Sequence, residues 1–345
     1  MRRFERIHDV VEPNQRYEVI GKLAFGQFST VWPAHDPLLQ QHVALKILKA
    51  DASMNSKELA ILFHLSVTNL DHPGKGHVLE LLDHFNHDGP NGTHLCLVLP
   101  LMVSDGQGMT VNWKPHQASY VRSISRQTLL GLDFPHALGI VHCDLQPANI
   151  MVSTVESARS ETLLEPPEFS PVRWLAGTTV DGSAPNCLIA TQRRRGQLDG
   201  ADFSELLVKI GDLGGGKLRR YHIRFKLGTK AHINQLYWIS NSIKSQYLNW
   251  QQTNEPLFPL GIFGLSAEQI DEEHLGLISQ LLGGGGHMNE AFVKHLTDRL
   301  PPDFGVGNIQ NLASFLWLML QQEPQKRIST AELLGHPFLT EEIER

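Results

Sequence analysis

The chain has 345 residues, 41% of them hydrophobic and 19% charged, which is apolar surface enough for a core and length enough for two lobes, and which excludes a disordered tail protein. Its three cysteines are too few and too scattered for a disulfide framework or a zinc site, and a net charge of −6 with histidine neutral argues against nucleic acid as the main partner. Residues 1–15 hold charges but no apolar stretch of signal-peptide length, and no run approaches the roughly 20 apolar residues of a membrane span, so a soluble protein of the cytoplasm or nucleus is expected.

From Tyr17 to Leu23 apolar and polar side chains alternate as in a half-buried strand, and Ser29-Thr30-Val31-Trp32 starts a second strand. Between them Ala24-Phe25-Gly26-Gln27-Phe28-Ser29 is a turn in which Ala24, Gly26 and Ser29 are small. Such a turn suits a plain hairpin or a loop whose backbone N–H groups approach phosphates closely. Pro33 is awkward in the second strand unless its nitrogen faces solvent. His42 to Leu48 reads as a third strand, with Lys46 either gripping phosphates or snorkelling at the surface. Ser56 to Leu65 has helical apolar spacing and puts Glu58 in the first turn, as a partner for Lys46 or as an exposed helix glutamate.

After a turn at Asn86 to Asn91, His94 to Met102 reads as a buried strand leading to a connection between lobes. Tyr120 to Leu138 is helical in period, and Pro135 is expected to kink or cut its second half. Next comes Ile140-Val141-His142-Cys143-Asp144-Leu145-Gln146-Pro147-Ala148-Asn149-Ile150, an apolar pair, a polar turn and a return to apolar residues. Phosphoryl transfer needs a carboxylate to orient an attacking hydroxyl and accept its proton, and an amide oxygen nearby to hold magnesium. Asp144 and Asn149 have those chemistries, although Asp, Pro and Asn also make ordinary surface turns. From Met151 to about Leu207 the composition shifts to Ser, Glu, Pro and Gly with an Arg193-Arg194-Arg195 cluster, which reads as an insert. Val208 to Gly214 is then a short strand ending in Asp212-Leu213-Gly214, and Ser266 to Gln269 caps a helix whose first turn is acidic at Asp271, Glu272 and Glu273.

In this order the residues resemble a eukaryotic protein kinase, and more narrowly the SR-protein kinases, including short fungal members. The narrower likeness rests on Lys22-Leu23 through Phe28-Ser29-Thr30-Val31-Trp32, on Gly89 to His94, on Gly131-Leu132-Asp133 and on the D-L-G spelling. It implies an α+β, two-lobed fold: an extension over 1–16, a β-rich N-lobe with one key helix over 17–102, and a mainly helical C-lobe over 103–345. That C-lobe would carry an irregular insert at about 152–207 and an atypical activation segment at 215–255. The resemblance also implies ATP and magnesium as cofactors. Leu23, Ala24, Gly26, Ser29, Val31, Ala44 and Lys46 would line the nucleotide site, with Ala44 against adenine. Asp144 would be the base, Lys46 and Glu58 an ion pair on the phosphates, and Asn149 and Asp212 the metal ligands. The implied protein substrates are arginine-serine-rich splicing factors, to which the acidic cluster with Glu268 could dock, without direct nucleic-acid or membrane contact.

Four departures from that family pattern stand out. Gln146 replaces a lysine that touches the γ-phosphate, and Cys143 replaces the arginine that reads a phosphorylated activation loop. Pro33 and Pro135 are expected to interrupt regular elements. Between Gly214 and Pro256 there is no A-P-E and no aspartate-tryptophan-glycine motif, so Arg327, which resembles the arginine that pairs with the A-P-E glutamate, has lost that partner. Slow transfer is therefore expected. A pseudokinase that binds ATP or a partner, and an aminoglycoside-type small-molecule phosphotransferase, remain alternatives at this stage.

Overall fold

In the computed structural model the described residues are 16–106, 108, 117–154, 167–174, 177, 187–192, 206–218, 288–319, 321, 326 and 328–340. The acidic cluster at Glu268 and 271–273, Arg327, and the activation segment from 219 onward lie outside them. Among the described residues no helix is long and apolar enough to cross a membrane.

The first part is an antiparallel sheet of β1 (Glu18–Val19), β2 (Ala24–Phe25), β3 (Ser29–Asp36), β4 (Gln41–Leu48), β5 (Asp83–Gly89) and β6 (Gly92–Pro100). Its order is β1-β3-β4-β6-β5, with β2 also paired to β3. A short helix α1 (Ala50–Ser53) and then α2 (Lys57–Val67) follow β4, and the Ser56 hydroxyl caps α2 by accepting from the Leu59 N–H. One face of the sheet and of α2 closes on a core that includes Leu48, Ile61, Leu62, Leu65 and Leu97.

The strand expected over Tyr17 to Leu23 ends at Val19, and the physical reason lies in β3. The Ile20 N–H donates to Pro33 O at 2.9 Å and the Leu23 N–H to Val31 O at 2.9 Å, so the chain bulges at Gly21 and Lys22 between these two anchors. Pro33 O faces this side, and so does the nitrogen that carries no hydrogen. Pro33 thus sits in an unbroken eight-residue strand, opposite Ala44 in β4, with its missing donor turned toward the bulge. The expected interruption does not occur.

The second part begins with β7 (Ser104–Asp105) and the long helix α3 (Ala118–Ala137), followed by β8 (Ile140–Val141) and β9 (Ile150–Thr154). Pro135 does not cut α3 either. It falls in the last turn, where only two helical residues follow, so the missing N–H removes a bond at the end of the ladder. Leu138 N–H donates to Pro135 O and Gly139 N–H to His136 O, and Gly139 at φ 72° turns the chain out of the helix.

Part of the stretch read as an irregular insert is regular: β9 continues to Thr154, β10 (Phe169–Pro171) pairs with β11 (Cys187–Ile189), and β12 (Leu206–Ile210) returns to pair with β9. β13 (Lys217–Leu218) pairs with β8. The sequence lacked a periodic signal there because two-to-five-residue strands are too short to show one. A helical end follows, with α4 (Glu290–Thr297), α5 (Val306–Met319), α6 (Thr330–Leu334) and α7 (Pro337–Thr340) packed with Leu129 of α3 around Phe292, Phe304, Phe315 and Phe338.

The two parts meet where the turn at Pro73–His77 touches α3 backbone to backbone. A Cβ on Gly74 would lie 1.9 Å from Leu130 O, and one on Gly131 would lie 2.4 Å from His77 O. Neither obstacle is a side chain that can swing away. Gly74→Ala or Gly131→Ala is therefore expected to cost about 1–3 kcal/mol by overpacking, read as a lower Tm or denaturant midpoint. Stability equal to the wild type would show that the lobes can separate here at no cost.

Candidate active site

Lys46 is brought to the site by β4, and its alternation with buried Leu45 and Val43 fixes the face it occupies. Its Nζ lies 2.7 Å from Glu58 Oε1 on α2 and 2.7 Å from Asp212 Oδ1 at the end of β12. Burial alone would pull the ammonium's pKa down, but the Glu58 and Asp212 carboxylates more than offset this, and Lys46 titrates above the ordinary lysine range. Lys46 is thus held as a cation between a buried carboxylate and a half-exposed one.

Asp212 owes its position to its neighbours. Leu213 is 1% exposed in the core beside Ile61 and Leu62, which clamps the D-L-G turn against α2. Asp212 has φ 56°, a left-handed conformation that costs a non-glycine residue energy and is held only by such packing. Gly211 N–H donates to Asn149 O, and Gly211 O accepts from His142 Nε2 at 2.9 Å. His142 is buried, and burial pushes its imidazole below the usual histidine range, which keeps it neutral. With Nε2 donating, Nδ1 accepts the Asp144 N–H at 3.3 Å, so one ring ties the Asp144 turn to the Asp212 turn.

On that turn Cys143 is left-handed at φ 63°, and Asp144 projects from a short β8–β9 connection. Asn149 is buried and donates through Nδ2 to Asp144 O at 2.8 Å, with Asp144 Oδ2 at 3.5 Å. Its amide oxygen is the atom left to serve as a ligand. Gln146 Nε2 donates to Asp144 Oδ2 at 3.2 Å, a neutral donor in the place where the family pattern has a cation. A Cβ on Gly215 would lie 3.2 Å from Asp144 Cβ, so the D-L-G turn passes directly alongside this group.

Of the nucleotide-loop residues, Ala24 pairs with Val31, and the Gly26 N–H donates to Ser29 O at 2.8 Å to close a hairpin turn. Ala44 is buried in the core that also holds Leu48, Leu97 and Leu99, and the partly buried Leu23, Val31 and Met151 pack against that core. The structure therefore gathers Lys46, Glu58 and Asp212 into one contact, joins Asp144 to Asn149 in a second, and places Leu23, Val31 and Ala44 against a shared core. Sequence reasoning missed His142, Gly211, Gly215 and Met151. Their roles depend on close approach between segments far apart in the chain, and no local pattern signals that.

Residues 17–159 match the protein kinase domain family. Serine/threonine-protein kinase SKY1 of Saccharomyces cerevisiae is 39% identical over 149 residues, 40% of this chain and 20% of that one. SRSF protein kinase 3 of Homo sapiens is 33% identical over 145 residues, 40% of this chain and 26% of its own. Serine/threonine-protein kinase SRPK of Physarum polycephalum is 27% identical over 392 residues, covering 97% of this chain and 88% of that relative. Thus the chain aligns with only about a fifth to a quarter of the length of the first two relatives. A crystal structure of a kinase domain superposes with a TM-score of 0.54 at 18% identity, covering 94% of this chain and 96% of that one, a likeness of fold. With this α+β, two-lobed fold, the match over residues 17–159 and these relatives, the chain is similar to the protein kinases and, among them, to the SR-protein kinases.

Proposed function

We propose that the chain is an ATP-dependent serine/threonine protein kinase that transfers the γ-phosphate to serine in arginine-serine-rich proteins. The observation that carries this reading is the Lys46 ammonium held at 2.7 Å by both Glu58 and Asp212, together with an Asp144 whose backbone carbonyl is fixed by the Asn149 amide. One group is a charged grip for phosphate oxygens, and the other is a base for a hydroxyl.

The residues also fit magnesium nucleotide. Asn149 and Asp212 offer hard oxygen ligands, which suits a cation that takes only one or two protein carboxylates and completes its shell with phosphates and water. Gly26 is a second point of fit: a Cβ there would meet nothing of the protein closer than Ser29 O at 3.9 Å. The fold does not demand a glycine at that place, whereas close approach of a phosphate to the backbone does. When bound, magnesium would neutralise charge on the phosphates. The protein's part is positioning, with Lys46 orienting the nucleotide and Asp144 taking the hydroxyl proton.

The serine substrate class is supported by the name of the SRSF protein kinase 3 relative. A cytoplasmic or nuclear location follows from the same reading. The test offers an arginine-serine peptide and an acidic casein-like peptide at equal concentration with magnesium-ATP. Phosphorylation of the basic peptide at least about tenfold faster is expected, a difference of one to two charge contacts. Preference for the acidic peptide would end the assignment, and transfer to an aminoglycoside in place of either would move the chain to the small-molecule class.

A further inference from the structure

We infer that the β10–β11 hairpin, with Gln192 just beyond it, is a positioning element for the nucleotide loop. This rests on the kinase reading above and adds a residue to it. The hairpin belongs to the segment that leaves the chain after Asn149 and returns before Asp212, yet it sits on the first lobe: Phe169 and Ile189 pack against the core of Tyr17, Val19, Trp32 and Ala34.

Gln192 then binds the bulge described above. Its N–H donates to Lys22 O at 2.8 Å, and its Oε1 accepts the Lys22 N–H at 3.2 Å. β3 cannot supply these bonds, because Ile20 and Leu23 take up Pro33 O and Val31 O, and Pro33 has no hydrogen to give. Gln192 thus acts as a one-residue partner strand at the entrance to the loop. Gly21 makes the seat for it: a Cβ there would fall 1.9 Å from Gln192 Oε1. From Lys22 the restraint runs on, since its ammonium lies 5.0 Å from the ring centre of Phe25 in β2 and 5.8 Å from that of Trp32 in β3. The loop between Phe25 and Ser29 therefore hangs from strands tied, through Gln192, to the segment that separates the two metal-ligand candidates.

The test uses the full chain with Gln192→Ala, Gln192→Glu and Gly21→Ala, read by hydrogen exchange and by ATP kinetics. Gln192→Ala removes the acceptor of the Lys22 N–H while leaving the backbone bond to Lys22 O, and is expected to speed amide exchange at Lys22 through Gly26 about tenfold, the effect of one lost hydrogen bond. KM for ATP should rise by a similar factor while kcat changes far less. Gln192→Glu keeps an acceptor oxygen and should restore both readouts. Gly21→Ala, which displaces the amide, should mimic Gln192→Ala, and the double variant should be no worse than either single one. Unchanged exchange in Gln192→Ala, or faster exchange with KM for ATP unmoved, overturns the inference. A wild type that binds no ATP would instead sink the kinase reading, while the exchange comparison still reports whether Gln192 holds the bulge.

Discussion

Asp144→Asn is expected to lower phosphate transfer about a thousandfold, within the range that a positioned general base supplies, and to leave nucleotide affinity within about twofold. An asparagine can keep the contacts of the turn, because the Asp144 backbone oxygen, not its carboxylate, takes the shorter bond from Asn149. What it cannot do is accept the hydroxyl proton. The wild-type rate itself is expected to be modest, because Gln146 gives Asp144 a neutral amide donor and offers the phosphate no charge. Loss of one such charge-stabilising contact costs about 3–4 kcal/mol of barrier, or two to three powers of ten in rate. A transfer assay at saturating magnesium-ATP, with both proteins at equal concentration, decides the point. An Asp144→Asn protein as active as the wild type would remove Asp144 from the chemistry.

The second large effect is on Lys46, where stability and binding are joined. Lys46→Ala leaves Glu58, 4% exposed, with its charge buried and its partner gone. Breaking a buried pair in this way costs about 3–5 kcal/mol, and denaturant unfolding should show it directly. Nucleotide affinity should fall about tenfold or more with the loss of a charged hydrogen-bond donor. The two effects can be separated by Lys46→Met with Glu58→Leu, which replaces the pair with apolar side chains of similar volume. That double variant should regain most of the stability, yet bind ATP as weakly as Lys46→Ala. Equal affinity for ATP in wild type and Lys46→Ala would take Lys46 out of the nucleotide site.

Much of the site was legible because its chemistry sits on short local patterns. The strand around Lys46 alternates, the helix carrying Glu58 starts at a serine cap, and Asp144 and Asn149 share one turn, so each could be placed from a few neighbouring residues. The misreadings at Pro33 and Pro135 have a common cause. A proline's cost depends on whether its missing N–H would have had a partner, and that is settled by the bulge beside β3 in one case and by the nearby helix end in the other. The irregular reading of 152–207 missed the β10–β11 hairpin for a related reason. Three-residue strands are held by pairing and by Phe169 and Ile189 on a distant sheet, and they carry no period of their own.

The sequence by itself determined which chemical groups are present and in what order: a lysine on a strand, a glutamate on the next helix, an aspartate and an asparagine five residues apart, and a later aspartate before leucine and glycine. Those follow from backbone periodicity and from side-chain identity, which are local. Only the tertiary structure decided that Lys46 is shared by two carboxylates 12 and 166 residues away, that His142 joins two turns through Gly211, and that Gln192 reaches Lys22 across 170 residues. Contacts at such separations come from packing the lobes together, where buried polar groups must each find a partner, and their geometry is fixed by the whole core and by no single segment of it.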